Sequence, residues 1–120
     1  MSIITRVLAC LVAAEFIFIF VLETIATSSA RTSRVFGMST DELQRDSVNT
    51  LFKNQGVYNG LLSVLILLAV FVFISRTALI CLMVYIILVA AYGSITSNPK
   101  IILMQGGIPA LTLISALIIG

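Results

Sequence analysis

The chain has 120 residues, 60% of them hydrophobic and only 10% charged, with a formal net charge of +2. A soluble domain is roughly half apolar and a quarter charged, so this composition describes an integral membrane protein and leaves no room for a separate soluble domain. The small net charge gives no reason to expect a nucleic-acid partner.

A membrane crossing takes about 20 apolar residues. The pattern predicts four: Val7 to about Thr27, about Gly56 to Ile74, Thr77 to about Ile95, and Ile101 to Ile119. The expected fold is all-α, a four-helix transmembrane bundle forming a single domain over residues 1–120, with a short amphipathic helix in loop one. Ser75-Arg76 leaves only a tight hairpin between spans two and three, and Pro99 in Thr96-Ser-Asn-Pro99-Lys100 separates spans three and four. Links this short make antiparallel neighbours.

Span one carries two carboxylates, Glu15 and Glu23. An ionisable side chain at bilayer depth costs roughly 2.5 kcal/mol or more on insertion scales, and such residues face a polar interior where they have a task. The two are eight residues apart, about 12 Å along the helix and roughly 80° round it, so they can open on one cavity without sharing a proton. Val7-Leu-Ala-Cys10 has the look of a lipoprotein cleavage box, but too few apolar residues precede it, and the two Glu spoil span one as a cleaved signal. Cys10 and Cys81 both lie near the outer ends of their spans; packing residues are the expectation over a disulfide.

Loop one, about residues 28–53, is the long connection. Ser39-Thr-Asp-Glu42 has capping-box spacing, which predicts a helix start with the Glu42 carboxylate reaching back to the Ser39 amide. Leu43, Val48, Leu51, Phe52 and Gln55 continue a helical spacing along the interface, with a bend expected near Gly56 into span two. Basic residues divide two against five, Arg6 and Arg76 against Arg31, Arg34, Arg45, Lys53 and Lys100. That bias puts loops one and three in the cytoplasm and both termini outside, with loop one touching anionic headgroups.

Sorted by depth, Glu23, Asn59, Tyr92 and Gln105 form one polar level, one residue from each span. Asn54, Gln55 and Tyr58 lie at the cytoplasmic mouth, and Glu15 and Tyr85 near the midplane beside Ser63 and Thr112. Gln55 with Asn59, Tyr85 with Tyr92, and Gln105 with Thr112 each share a helix face. Such amides and hydroxyls often only bridge helices, whereas a carboxylate is not needed for that. Gly56 with Gly60, Ala90 with Ser94 and Gly106 with Ala110 have the spacing that lets helices approach closely. Pro109 frees the Gln105 carbonyl.

Glu23, Arg31, Arg34-Val35-Phe36-Gly37, Asn54-Gln55-Gly56-Val57-Tyr58-Asn59-Gly60, Tyr92-Gly93, Gln105-Gly106 and Pro109-Ala110 together give a pattern that resembles the small bacterial membrane proteins grouped as domain of unknown function 1304. The family pattern has Glu-His where this chain has Glu15-Phe16. The resemblance implies a four-helix fold and a multi-pass protein of a bacterial cytoplasmic membrane, and no biochemical function.

Two functional classes fit a polar cavity bounded by Glu15, Glu23, Asn54, Gln55, Tyr58, Asn59, Tyr85, Tyr92 and Gln105. The favoured one is a small-solute or proton- or cation-linked carrier, because the polar levels step from mouth to midplane. The other is an intramembrane lipid- or isoprenoid-binding protein or enzyme, with a Glu as acid or base. A structural or regulatory partner of another membrane protein is a third reading. The expected partners are the lipid bilayer and a small-molecule, cation or lipid ligand, with self-association open. No His, nucleophile–base pair or metal cluster points to a particular reaction, and neither metal nor cofactor is expected.

Overall fold

The computed structural model describes all 120 residues and is helical throughout, without strands. The elements are α1 (Ile3–Phe20), which runs into a π-helical turn at Val21–Ile25; α2 (Ala30–Phe36); α3 (Thr40–Gln44); α4 (Asp46–Leu67), which runs into a second π-helical turn at Leu68–Val72; α5 (Arg76–Thr96); and α6 (Ile101–Ile118). Four of these are long and apolar enough to cross a membrane: Ile3–Ile25, Asp46–Val72, Arg76–Thr96 and Ile101–Ile118. The chain divides into two compact units, Ala14–Val64 and the remainder, Met1–Ala13 with Leu65–Gly120.

In the unit Ala14–Val64, loop one is more helical than its sequence suggests. Ser39 caps α3 as expected, its hydroxyl accepting from the Glu42 amide at 3.2 Å. The Glu42 carboxylate does not complete the capping box: it pairs with Arg45 at 2.7 Å, a closer charged partner one turn on. Arg45 turns to extended backbone (ψ 135°), which ends α3 and lets Asp46 start a new helix with an acid in its first turn. Asn49 bridges that break by donating to the Leu43 carbonyl at 3.2 Å. From Asp46 the helix is continuous through Gly56, so span two begins about ten residues earlier than its apolar run. At 27 residues, or about 40 Å, this helix is longer than the roughly 30 Å hydrocarbon layer, so its polar first turns reach beyond it.

Gly56 stays helical because its missing side chain is used for contact. A Cβ there would fall on the Thr24 hydroxyl and lie 3.0 Å from both Glu23 Cβ and the Thr24 backbone nitrogen. One turn on, a Cβ at Gly60 would stand 3.0 Å from the Phe20 ring. The Gly56-xxx-Gly60 spacing therefore does what small-residue pairs do between membrane helices: it brings two backbones together.

Helix α2 lies in a stretch expected as loop, and its two ends are closed by local signals. The Ser29 hydroxyl accepts from the Thr32 amide at 3.2 Å, and Gly37 closes the helix at φ 66°, a conformation open to glycine at little cost. Phe36 then meets Phe52 of α4 edge to face, with ring centroids 5.2 Å apart.

In the other unit, α5 buries Leu79, Met83, Ile86 and Ala90, a stripe at helical spacing, and α6 buries Gly106, Pro109, Thr112, Ser115 and Ala116. These faces pack together; Ala90 Cβ stands 3.5 Å from where a Gly106 Cβ would be. Both ends of the α5–α6 pair are tied by polar side chains. Ser94 accepts from the Ile102 amide at 2.7 Å, satisfying a donor that the start of α6 leaves without an intrahelical partner. At the other end the Arg76 guanidinium donates to the Ala116 and Leu117 carbonyls, placing a cation on the last turn of α6. The Ser2 amide meets the Gly120 carbonyl, and Thr5 and Ser115 share a hydroxyl pair at 2.6 Å. Thr112 is buried but only bonds back to Ile108 within its own helix, at 2.8 Å. Cys10 and Cys81 are free thiols. In the link before α5, Ile74 sits at φ 46°, an outlier for a β-branched residue.

Candidate functional site

Glu23 is the one buried carboxylate of the chain, 4% exposed, and it lies in the π-helical turn Val21–Ile25. A π turn widens the helix by one residue and closes on i−5 bonds, here Ala26 amide to Val21 carbonyl at 2.8 Å. Such turns are frequent at functional sites because they displace side chains from the ordinary helical register. The Asn59 side-chain amide of α4 donates to Glu23 Oε1 at 2.6 Å. Asn59 is one turn from Gly56 and next to Gly60, so the close helix approach and this hydrogen bond come from one segment.

Around Glu23 the backbone carbonyls at the end of α1 are taken up by side-chain donors. Thr27 donates to the Glu23 carbonyl at 2.6 Å. Thr24 and Lys53 form a reciprocal latch: the Thr24 hydroxyl donates to the Lys53 carbonyl at 2.9 Å, and the Lys53 ammonium donates to the Thr24 carbonyl at 3.1 Å. The same ammonium reaches Thr27 Oγ1 at 3.1 Å. Thr32 of α2 shares its hydroxyl proton between the Ala26 carbonyl at 2.7 Å and the Leu22 carbonyl at 3.0 Å. Lys53 thus complements the negative end of the helix and makes no ion pair with the Glu23 carboxylate; the chain's ion pair is Arg45–Glu42. The partner of Glu23 is a neutral amide.

The other residues of the expected cavity are distributed as follows. Glu15, in the same unit as Glu23, is half-buried, and its Oε2 is enclosed without a hydrogen-bond partner. Asn54, Gln55 and Tyr58 are exposed on α4, Tyr58 at 71%. Tyr85 and Tyr92 on α5 are exposed at 58% and 70%, and Gln105 on α6 is half-buried. Within the unit Ala14–Val64 the structure brings together Glu23 and Asn59 of the expected residues, and adds Thr24, Thr27, Thr32 and Lys53. Thr27 had a signal, since a threonine four residues after Glu23 can bond back to its carbonyl. Thr32 and Lys53 had none, because their partners are backbone carbonyls distant in sequence. No three His, Cys, Asp or Glu side chains come together as a metal cage.

Fold and site define a small all-helical protein with four helices long and apolar enough to cross a membrane and, in the first of them, a carboxylate held by an amide. The chain belongs to the DUF1304 family of proteins of unknown function, whose pattern it matches over residues 10–117. A relative from Lactococcus lactis subsp. lactis (strain IL1403), described as uncharacterized protein YpaA, is 56% identical over 117 residues, covering 97% of this chain and 98% of the relative. No solved structure matches the chain.

Proposed function

We propose that this chain is a small-solute or cation carrier of a bacterial cytoplasmic membrane in which Glu23 and Asn59 form a proton- or cation-binding centre. The observation that carries the reading is the charge balance at Glu23: a buried carboxylate inside a membrane span, with an amide and no basic side chain as its partner. Placed there, an ionised carboxylate calls for a proton or a bound cation as its counter-charge. The enclosed, unpartnered oxygen of Glu15 in the same span supplies a second carboxylate for exchange. Loop one and the link between α5 and α6 face the cytoplasm, and both termini face outward, on the excess of basic residues in those loops.

A second reading rests on a different observation. An open groove of about 550 Å³ runs along Leu65, Leu68, Ala69, Phe73, Ala78 and Leu82, with Ser75 and Cys81 the other residues lining it. Its apolar wall suits an acyl or isoprenoid chain, which favours the lipid-binding alternative. Native mass spectrometry from lipid alongside proton flux in proteoliposomes separates the two. Flux without a retained lipid supports the carrier; a stoichiometric retained lipid without flux supports the lipid-binding protein.

A further inference from the structure

Helix α2 carries two cations that the chain itself does not use. Arg31 and Arg34 lie one turn apart on the exposed side, while Thr32 between them is fully buried. Residues three apart share a helix face, so the two guanidiniums project together. Neither makes an ion pair or hydrogen bond within the chain, in contrast to Arg45, which is neutralised by Glu42 at 2.7 Å. No acidic residue lies in α2, and the nearest acids in sequence are Glu23, inside the span, and Asp41 in α3.

The position of this pair is fixed. Thr32 ties α2 to the Leu22 and Ala26 carbonyls, at the end of the first membrane-length helix, which runs Ile3–Ile25. Phe36 against Phe52 ties the other end of α2 to α4. The end that Thr32 grips belongs to a helix long and apolar enough to cross a membrane, and where such a helix spans, the residues just past its end meet the headgroup region. Guanidinium forks match phosphate geometry, and the two charges come without a competing carboxylate.

We infer that Arg31 and Arg34 form a docking surface for the phosphate of anionic phospholipid headgroups, with α2 as its rigid mount. The inference is independent of the carrier reading, since it uses neither Glu23 nor Asn59. It predicts that binding is selective for anionic over zwitterionic lipid, falls with salt, and depends on Arg31 and Arg34 rather than on basic residues in general.

The test uses the purified full-length chain, with phosphatidylglycerol or phosphatidylcholine added to the detergent-solubilised protein. Retained lipid is counted by native mass spectrometry, and the thermal midpoint in phosphatidylglycerol is compared with that in phosphatidylcholine for each protein separately. The wild type is expected to retain phosphatidylglycerol and to melt higher in it. The double variant Arg31→Gln/Arg34→Gln is expected to lose that difference, with retention weaker by roughly ten- to thirty-fold. Arg45→Gln, which removes an equally basic but ion-paired side chain, is expected to keep it. Because each protein is its own reference, a general loss of stability in the double variant leaves the comparison intact. Equal behaviour in the two lipids, survival of the difference in the double variant, or loss of it in Arg45→Gln would each overturn the inference. So would inorganic phosphate reproducing the thermal effect, since the surface would then be a free-anion site.

Discussion

Gly56 and Thr24 stand so close that a methyl group on Gly56 would occupy the position of the Thr24 hydroxyl and press on the Thr24 backbone nitrogen at 3.0 Å. The hydroxyl can rotate away, but the backbone cannot. Gly56→Ala is therefore expected to push α1 and α4 apart, destabilising the protein by about 1–3 kcal/mol as overpacking does. Since the same approach sets the reach of Asn59 to Glu23, the Glu23–Asn59 bond is expected to lengthen with it. Thermal unfolding of the purified variant checks the first effect. A variant as stable as the wild type would show that the helices do not pack this closely.

Asn59 and Glu23 are coupled by a 2.6 Å hydrogen bond, and a double-mutant cycle measures that coupling. Asn59→Leu alone leaves the Glu23 oxygen without its donor, at an expected loss of about 1–3 kcal/mol. In the Glu23→Leu background the same change is expected to be much milder, because no acceptor is stranded. Additive losses would mean that the two side chains do not interact.

Thr32→Val keeps shape and removes one hydroxyl proton shared by two carbonyls. We expect a loss of about 1–2 kcal/mol and earlier proteolytic cleavage in loop one, as α2 detaches from the end of α1. Unchanged protease resistance would show that Phe36 and Phe52 hold α2 unaided.

Ile74 offers a change in the opposite direction. At φ 46° its branched side chain strains the hairpin, and Ile74→Gly is expected to relieve about 1 kcal/mol of that strain. Since glycine also loosens the unfolded chain, the net gain in the thermal midpoint is small. A clear drop in midpoint would mean that the Ile74 side chain contributes more by packing than its backbone loses.

The four spans were legible because a continuous apolar run needs no partner to be recognised, and Ser75-Arg76 and Pro99 marked two of their joints. Residues 28–38 read as loop because a helix of seven residues has too few positions for a period, although Ser29 and Gly37 carried its two end signals. Of the two reasons for a glycine at position 56, close packing is realised, and the helix runs through it without a break. At the site, Glu23 stood out by its energetic cost and Asn59 by its depth. Thr24, Thr32 and Lys53 could not be seen, since each binds a backbone carbonyl, and any residue would have presented the same carbonyl. Both π-helical turns were invisible for a related reason: an i−5 bond leaves no mark on composition or spacing.

Topology is open to a direct check. In a background with Cys10 and Cys81 replaced by alanine, a cysteine at Ser33 is expected to be shielded from an impermeant thiol reagent in intact cells. A cysteine appended after Gly120 is expected to be labelled. The reverse pattern would invert the orientation and move α2 to the outer face.

The central claim, that Glu23 carries the exchangeable charge, is tested most directly by proton or cation flux in proteoliposomes of the wild type and of Glu23→Gln, which keeps the size of the side chain and a carbonyl oxygen for Asn59. The account predicts flux in the wild type and its loss in a Glu23→Gln protein that is still folded and monodisperse. Undiminished flux through folded Glu23→Gln would contradict it and leave the Glu23–Asn59 pair a structural tie between two helices.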